Sequence, residues 1–233
     1  MAIYAIADLH LSFSTDKPMD IFGDQWTDHA EKIKAHWLEK VNSEDTVLIP
    51  GDISWALTLE EAKIDLEWLH QLPGKKILIR GNHDYWWSTL KKMNALYDDI
   101  EFVHNSYGVA QGYAICGTRG WVIPNDSSFT EQDAKIYKRE IHRMKLSLDT
   151  AMKDGYTQCI VMLHYPPTND KKEMSEMQEL LSNYPVKHVV YGHLHTKHCW
   201  KLSLNGIHDD IEYHMVSSDY LNFELKDLKV KTD

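Results

Sequence analysis

The sequence predicts a layered α/β protein in which a mixed β-sheet, or a sandwich of sheets, is covered by helices. Apolar segments of strand length alternate with amphipathic helical segments along the chain. The predicted strands are almost continuously apolar, as expected for a sheet buried on both faces. At 233 residues, with 43% hydrophobic and 26% charged residues, the chain has the size and composition of one globular domain, predicted to span residues 1–233.

The first half of the chain begins with a predicted strand and then alternates helices and strands. "AIYAIA", "TVLIP" and "KKILI" predict three buried strands. A helix is predicted over residues 27–41, with Trp37 and Leu38 on its inner face. Thr58 and Glu61 form a capping box that predicts the start of another helix. Apolar residues recur at helical spacing in that segment, at Leu59, Ala62, Leu66 and Leu69.

In the second half of the chain, the first predicted element is a short helix over residues 89–97, and Trp86 and Trp87 near its start are expected to pack in the core. Residues 100–122 predict short strands separated by glycines. Long and medium helices are predicted over 131–153 and 173–183, and "CIVML" and "HVVY" predict buried strands. The tail from Trp200 predicts a hairpin that turns at Asp209 and Asp210, with more strand after it.

Charge and cysteine content restrict the function classes. The formal net charge of −10 disfavours nucleic acid and anionic membranes as partners. A phosphate substrate would then need local positive charge, for which bound metal is the obvious source. Three separated cysteines without a CxxC motif indicate free thiols in a reducing compartment. Because no signal peptide or membrane-spanning stretch is recognisable either, the predicted location is cytoplasmic.

Polar residues follow five of the predicted strands at the point where each strand ends. In open α/β sheets, ligands bind at the carboxyl ends of strands, so these side chains are expected to meet at one edge. Glycines before three of them permit a sharp turn or a close approach of two backbones. The residues are Asp8, His10, Asp52, Asn82, His83, Asp84, His164, His193 and His195.

The residue types and spacing of this set predict a metal centre. Residues i and i+2 of an extended segment point the same way, so Asp8 with His10, and His193 with His195, can act as pairs. Oxygen and imidazole ligands without thiolate suit Mn, Fe, Co, Ni or Zn. Seven of these residues are counted as possible ligands, namely Asp8, His10, Asp52, Asn82, His164, His193 and His195. Seven ligands are too many for one ion and suit two, with one carboxylate as a bridge. Any one motif alone is better explained by ordinary turn chemistry, but five motifs in order are very hard to explain in that way.

The order D-x-H, GD, GNHD, a lone His after a strand, and GHxH resembles the motif set of the calcineurin-like metallophosphoesterases over residues 8–195. The resemblance implies a four-layer α/β/β/α sandwich, two mixed β-sheets flanked by helices, with a dinuclear metal centre at the strand ends. It also implies a role for each motif residue. Asp8, His10 and His195 would hold one ion. Asn82, His164 and His193 would hold the other, and Asp52 would bridge the two.

The same resemblance implies that His83 is catalytic rather than a ligand. It would lie over the substrate and help to protonate the leaving group, while Asp84 would orient either the loop or His83. Two divalent ions in such sites, about 3.5–4 Å apart, clamp the phosphoryl oxygens and acidify a shared water, which becomes a hydroxide nucleophile for in-line attack. The expected activity is therefore hydrolysis of a small phosphoester, either a monoester or a diester.

Departures from known branches narrow the family assignment. The stretch "GDISWAL" lacks the GDxxDRG motif of the protein Ser/Thr phosphatases, and Trp55 stands where purple acid phosphatases have a tyrosine ligand. His83 replaces the arginine of the lipid A pathway hydrolases, and no large DNA-binding addition is present. The chain therefore resembles the small bacterial-type phosphoesterases, which include cyclic-nucleotide phosphodiesterases.

Substrate contacts and two alternative functions stay open. Arg119 is a candidate anion clamp or a surface salt-bridge residue, and loops 11–26 and 165–172 are long enough to cover the site. Trp55 could form a wall of the cleft. One alternative is a non-catalytic binding scaffold on the same fold, which should have lost ligands. The other is a mononuclear metal enzyme, which would leave Asn82 and Asp52 without a purpose.

Overall fold

The computed structural model describes residues 1–124 and 129–230, which contain eleven strands and six α-helices. The strands are β1 (Ile3–Ala5), β2 (Thr46–Pro50), β3 (Lys75–Ile79), β4 (Ile100–Phe102), β5 (Tyr107–Ala110), β6 (Tyr113–Thr118), β7 (Cys159–Leu163), β8 (Val186–Tyr191), β9 (Gly206–His208), β10 (Ile211–Met215) and β11 (Lys226–Asp227). The helices are α1 (His29–Lys40), α2 (Leu59–His70), α3 (Leu90–Met93), α4 (Glu131–Lys153), α5 (Glu176–Ser182) and α6 (Lys197–Leu202).

The strands form two mixed sheets. The first has the order β11-β1-β2-β3-β4, and only the edge strand β11 is antiparallel to its neighbour. The second has the order β5-β6-β7-β8-β10-β9, with antiparallel pairing at both edges and parallel strands between them. The carboxyl ends of the parallel strands in each sheet therefore lie at one edge, where the polar motifs begin.

Three apolar cores separate four layers, and this confirms the predicted α/β/β/α sandwich. Between the sheets, Ile3, Leu48 and Ile77 of the first sheet share a fully buried cluster with residues of the second, such as Ile115 and Val190. A second cluster joins the outer face of the first sheet to α1 and α2. A third joins the other sheet to α4 and α5. Both sheets are thus covered on both faces, as their continuously apolar strands require.

Several predicted elements have the predicted bounds. β2, β3, β7 and α4 span the predicted residues, and Thr58 and Glu61 form both hydrogen bonds of the capping box at α2. The hairpin of β9 and β10 turns at Asp209 and Asp210, whose φ values of 49° and 62° suit the tight turn of a two-residue hairpin.

Other predictions about the helices were wrong. Leu38 is 56% exposed, because Trp37 and Ile33 set the buried face of α1 and the next residue along the chain lies about 100° around the helix. The helix predicted over residues 89–97 is the single turn α3, which begins three residues after Trp87. The tail begins with the short helix α6 rather than a strand, since the Thr196 hydroxyl caps the Cys199 amide.

Candidate metal centre

Four of the predicted site residues have left-handed backbone. The φ angles of Asp8, His10, Asp52 and His193 are 58°, 45°, 52° and 74°. Residues other than glycine rarely adopt such angles, which cost about 1–3 kcal/mol each and cluster at functional sites. Asp8 and His10 do meet in space, but the reason given by extended i, i+2 geometry was wrong. Their side chains converge because the segment turns sharply after β1.

Two glycines allow the loops to pack against the site carboxylates. A Cβ atom on Gly81 would overlap the backbone nitrogen and Oδ1 of Asp52, and one on Gly192 would overlap Oδ2 of Asp8. Neither clash can be relieved by a flexible side chain end, because each carboxylate is fully buried. The close approach predicted at these glycines is therefore present at both positions.

Asp8, His10 and His195 form the first group of possible ligands, with one ligand atom from each within 4.8 Å of the others. Asp8 Oδ1 lies 3.9 Å from His195 Nε2. The opposite ring nitrogen of His195, Nδ1, lies 3.1 Å from Oδ1 of Asp219. A carboxylate that accepts from one nitrogen of a histidine orients the other toward a metal, so the structure adds Asp219 to the site. The sequence analysis missed Asp219, although it follows β10 as the other site residues follow their strands.

Asn82, His164 and His193 form the second group. His164 Nε2 lies 2.6 Å from Asn82 Oδ1 and 3.2 Å from His193 Nδ1. The other nitrogen of His164, Nδ1, lies 3.1 Å from the Pro50 carbonyl. Because a carbonyl only accepts, His164 Nδ1 carries the proton and Nε2 presents a lone pair to the group. Oxygen and nitrogen acceptors therefore converge at this point.

Asp52 lies between the two groups. Its Oδ2 is 3.8 Å from His10 Nε2 and 3.4 Å from His164 Nε2. Its Oδ1 accepts a hydrogen bond of 2.8 Å from the His83 amide, which fixes the carboxylate orientation. A single carboxylate oxygen thus faces both ligand groups.

The chemistry of this donor set fits divalent cations. Asp8 Oδ1 and His10 Nδ1 are buried without a hydrogen-bond partner among the described residues, and such orphaned polar atoms are costly. Burial raises the pKa of Asp8 to about 7, against the lowering effect of His195. Burial also lowers the pKa of His164 and of His193 to about 3. Neutral imidazoles are the ligand form, and bound cations would compensate the buried carboxylates.

Asp84 is a structural anchor of this centre. Its fully buried carboxylate accepts hydrogen bonds from four backbone amides and from the Trp86 indole, at 2.7–3.2 Å. Two of those amides belong to Gly81 and Asp52, so one carboxylate joins the loops that follow β2 and β3. Burial, with the charge of Asp52 adding to it, raises the pKa of Asp84. Of the two roles that the sequence left open, these contacts favour orientation of the loop.

A cavity of about 290 Å³ opens onto the two groups of possible ligands and is called the metal cavity below. His83 lines it, and its ring centroid lies 4.4 Å from that of Trp55, which stacks on His10 at 4.9 Å. Trp55 is therefore a wall of the cleft. Loop 11–26 covers one side through Met19, Phe22 and Trp26. Loop 165–172 reaches the site differently, since the ring of Tyr165 lies 4.1 Å from that of His193.

Arg119 lies outside this lining. Its guanidinium stacks on Trp121, 4.5 Å from the ring centroid, and lines a different cavity. It forms no ion pair with a described carboxylate within 4.0 Å, so the surface salt-bridge alternative does not hold for residues 1–124 and 129–230. Its role as an anion clamp stays a prediction.

Among the described residues, two further clusters of possible ligands lie away from the motif residues. One consists of His188, Glu212 and His214 on β8 and β10, and the other of His70, Asp98 and Asp99. His70 Nδ1 already lies 2.6 Å from Asp99 Oδ1, and the buried Lys76 pairs with the same carboxylate at 2.6 Å. The second cluster is thus a local ion-pair network. His188 Nδ1 lies 3.2 Å from His214 Nε2 because the parallel pairing of β8 and β10 brings the two rings together.

Comparisons with known proteins agree with the fold and the motif set. The family model for calcineurin-like phosphoesterases matches residues 1–197. Gene 66 protein of Mycobacterium phage L5 is 35% identical over 78 residues, which cover 34% of this chain and 37% of that protein. Gene 66 protein of Mycobacterium phage D29 is 48% identical over 58 residues, covering 24% and 28%. The matched part is thus about a third of each phage protein.

A solved structure shows the same architecture. Phosphopantetheinyl hydrolase (PptH) from Mycobacterium tuberculosis matches over 99% of this chain and 96% of its own, with a TM-score of 0.59 and 14% sequence identity. No helix within residues 1–124 and 129–230 combines the length and the hydropathy needed to cross a bilayer.

The family model for calcineurin-like phosphoesterases covers most of the chain and contains every motif residue. The chain therefore belongs to the calcineurin-like phosphoesterase family.

Proposed function

We propose that this chain hydrolyses small phosphoesters at a centre of two divalent transition-metal ions, with water rather than a side chain as the source of the nucleophile. The observation that carries the proposal is the position of Asp52. Its Oδ2 lies within 3.8 Å of a ligand nitrogen from each group, His10 Nε2 and His164 Nε2. A carboxylate oxygen in that position supports a bridging role, which one ion alone would not require.

The bound ions would supply two effects, polarisation of the phosphoryl oxygens and acidification of a shared water. The lining of the metal cavity supports water as the nucleophile source. Among the described lining residues there is no serine or cysteine, and the one hydroxyl is that of Thr196. The Ser54 hydroxyl, two residues after Asp52, is buried and donates to Asp65. The described lining therefore offers no serine or cysteine nucleophile, and its one hydroxyl, that of Thr196, caps the Cys199 amide.

His83 is placed to act on the leaving group. Its backbone amide is held by Asp52, while its side chain lines the metal cavity beside Trp55. A histidine so placed can donate a proton or a hydrogen bond to the departing oxygen. Phe22, Trp26 and Trp55 give the cavity an aromatic surface, which suits a leaving group with an apolar or planar part. The volume of about 290 Å³ favours a small substrate.

The two alternative functions fit these observations less well. A scaffold with a dead site should have lost ligands, whereas all seven are present and Asp8, Asp52 and His164 are fully or almost fully buried. A mononuclear centre would leave Asn82 Oδ1 only 2.6 Å from His164 Nε2 without a cation to share. Both alternatives nevertheless make distinct predictions about metal content.

The test combines metal analysis with a substrate screen. Protein purified without chelator should contain two transition-metal ions per chain, and chelation should abolish hydrolysis until Mn²⁺ is added back. Monoesters, diesters, cyclic nucleotides and a phosphopantetheinyl ester should be compared, the last because of the name of the structural relative. One ion per chain in fully active protein would contradict the two-ion centre. Two ions without turnover of any phosphoester would favour the scaffold.

A further inference from the structure

The chain contains only four arginines, and all four line one cavity. Arg80 follows β3, Arg119 follows β6, and Arg139 and Arg143 lie on α4. The cavity has a volume of about 470 Å³, and none of the 21 lysines of the chain is among its described lining residues. The cavity is called the arginine cavity below. In a chain with a net charge of −10, every residue of the less common cationic type, arginine, therefore lines the same cavity.

The charges of the arginine cavity are poorly balanced. Glu140 is the only carboxylate among its described lining residues. It accepts 2.5 and 2.7 Å hydrogen bonds from the Thr118 hydroxyl and from Arg143, and lies 3.7 Å from Arg139 Nε. Four guanidinium groups therefore face one carboxylate. Burial lowers the pKa of His104 in the same lining, and Arg143 and Arg80 lower it further, as expected in a positive potential.

Arg119 has unused hydrogen-bonding capacity. Its Nε is buried and has no hydrogen-bond partner among the described residues, while its guanidinium plane stacks on Trp121. Burial lowers the pKa of Arg119, but a guanidinium remains charged at neutral pH. A buried donor without an acceptor is costly unless a ligand supplies one. The planar fork of a stacked arginine matches the oxygens of a phosphate group.

We propose that the arginine cavity binds the phosphate group of a small molecule, held by Arg119, Arg139 and Arg143. Its volume is in the usual range for small-molecule pockets. It is a separate site, because no described residue lines both it and the metal cavity. Two hydrogen bonds nevertheless link residues of the arginine cavity to residues of the candidate metal centre. The Arg119 carbonyl accepts from the His164 amide at 3.0 Å, and Arg80 Nε donates to the Asp84 carbonyl at 3.1 Å.

The phosphate group can belong to one of two sources. It can be the far end of a substrate whose ester is cleaved at the metal centre, an assignment that rests on the proposed function. It can also belong to a separate ligand. Both share the chemistry of a tetrahedral anion recognised by guanidinium groups, so binding is tested first and independently of activity.

The binding test uses the small number of arginines. The full chain, loaded with diamagnetic Zn²⁺ and labelled with ¹⁵N-arginine, should give four Nε resonances, each assignable by one Arg→Gln substitution. On titration with inorganic phosphate at low salt, the resonances of Arg119, Arg139 and Arg143 should move together along one saturable curve. Phosphate at the metal centre alone would leave these three unmoved, and that result would overturn the proposal.

Arg139→Gln has a matched control on the same helix. Lys138 is the preceding residue and is also exposed, but it does not line the cavity. Loss of one charge-assisted hydrogen bond should weaken phosphate binding about tenfold or more in Arg139→Gln. Lys138→Gln should change it less than about twofold. Equal weakening by both substitutions would mean non-specific charge attraction and would overturn the assigned site.

A kinetic arm then separates the two sources. The KM values of nitrophenyl phosphate and of a substrate with a second phosphate group are compared for Arg139→Gln. A rise in the KM of the bisphosphate relative to the monophosphate supports the substrate end as the occupant. An unchanged ratio, together with the weakened phosphate binding of the first arm, supports a separate ligand. Failure of the proposed function would remove this arm but leave the NMR result intact.

Discussion

The turn at residues 80–84 contributes a side chain to each of two cavities with opposite chemistry. Arg80 lines the arginine cavity, and His83, three residues later, lines the metal cavity. The metal cavity gathers carboxylate and imidazole groups that suit cations, whereas the arginine cavity gathers guanidinium groups that suit anions. Two side chains only three residues apart in the sequence, Arg80 and His83, thus belong to sites that suit ions of opposite charge.

The difference between the cavities lies in how each is built. The metal cavity is built on short motifs that follow strand ends, each of which supplies one or two of the possible ligands. Left-handed backbone at Asp8 and Asp52 and the Asp84 carboxylate fix these motifs. The arginine cavity takes one arginine from the loop after β3, one from the loop after β6 and two from α4. Motif-built and scattered sites should respond differently to substitution. Substitution of a proposed metal ligand should lower metal content and turnover together, whereas substitution of a cavity arginine should weaken phosphate binding alone.

The largest effect is expected for Asp52→Asn. Removing the charge between the groups should lower the occupancy of both ions and reduce kcat/KM by about 10⁴-fold or more, because several kcal/mol of transition-state stabilisation are lost with the metals. Elemental analysis and steady-state kinetics measure both effects. Asp149→Asn, an exposed carboxylate on α4, serves as the control and should keep both ions. Loss of only one ion in Asp52→Asn would contradict the bridging position.

A smaller loss, confined to turnover, is expected for His83→Ala. General acid catalysis contributes about 10²–10⁴-fold, so kcat should fall by that order for alkyl phosphoesters and much less for nitrophenyl esters, whose leaving groups need little protonation. Both ions should remain, and His142→Ala on the exposed face of α4 should be neutral. Loss of metal, or equal slowing of both substrate types, would make His83 a ligand or a positioning residue instead.

Sequence reasoning reached the motif-built cavity because strand ends and short motifs are local signals. The motif residues follow apolar runs, and β2, β3 and β7 have the predicted bounds. The left-handed backbone at His10 was not predicted, since it is imposed by packing against other loops. Asp219 was missed because its role depends on a 3.1 Å contact with His195, 24 positions earlier. The arginine cavity could not be predicted, because its members share no local pattern.

Asp219→Asn tests whether a residue without a motif belongs functionally to the metal cavity. Loss of a carboxylate behind a metal-ligating histidine typically costs about 10–100-fold in metal affinity. The ion held by the Asp8, His10 and His195 group should therefore weaken by that order, while the other ion is retained more tightly. Competition with a calibrated chelator measures the two affinities. Asp227→Asn, exposed on β11, should change neither, and an unaltered affinity in Asp219→Asn would limit Asp219 to a structural role.

The smallest effect, of opposite sign, is expected in the arginine cavity for Glu140→Gln. The buried Glu140 carboxylate competes with any incoming anion for Arg139 and Arg143. The amide keeps the shape of the side chain and can still accept from Thr118. At an effective dielectric constant of about 20, one negative charge about 5–8 Å away contributes roughly 2–3 kcal/mol, and screening by salt in an open cavity reduces this to about 1–2 kcal/mol. Phosphate should then bind about tenfold more tightly, with the arginine Nε resonances as the measurement.

Folding stability should fall in Glu140→Gln, because breaking a buried ion pair is costly, so thermal unfolding must be measured beside phosphate binding. Weaker phosphate binding in a folded Glu140→Gln protein would mean that the carboxylate positions the arginines rather than competing for them. Metal content should not change in either case, because Glu140 lines only the arginine cavity.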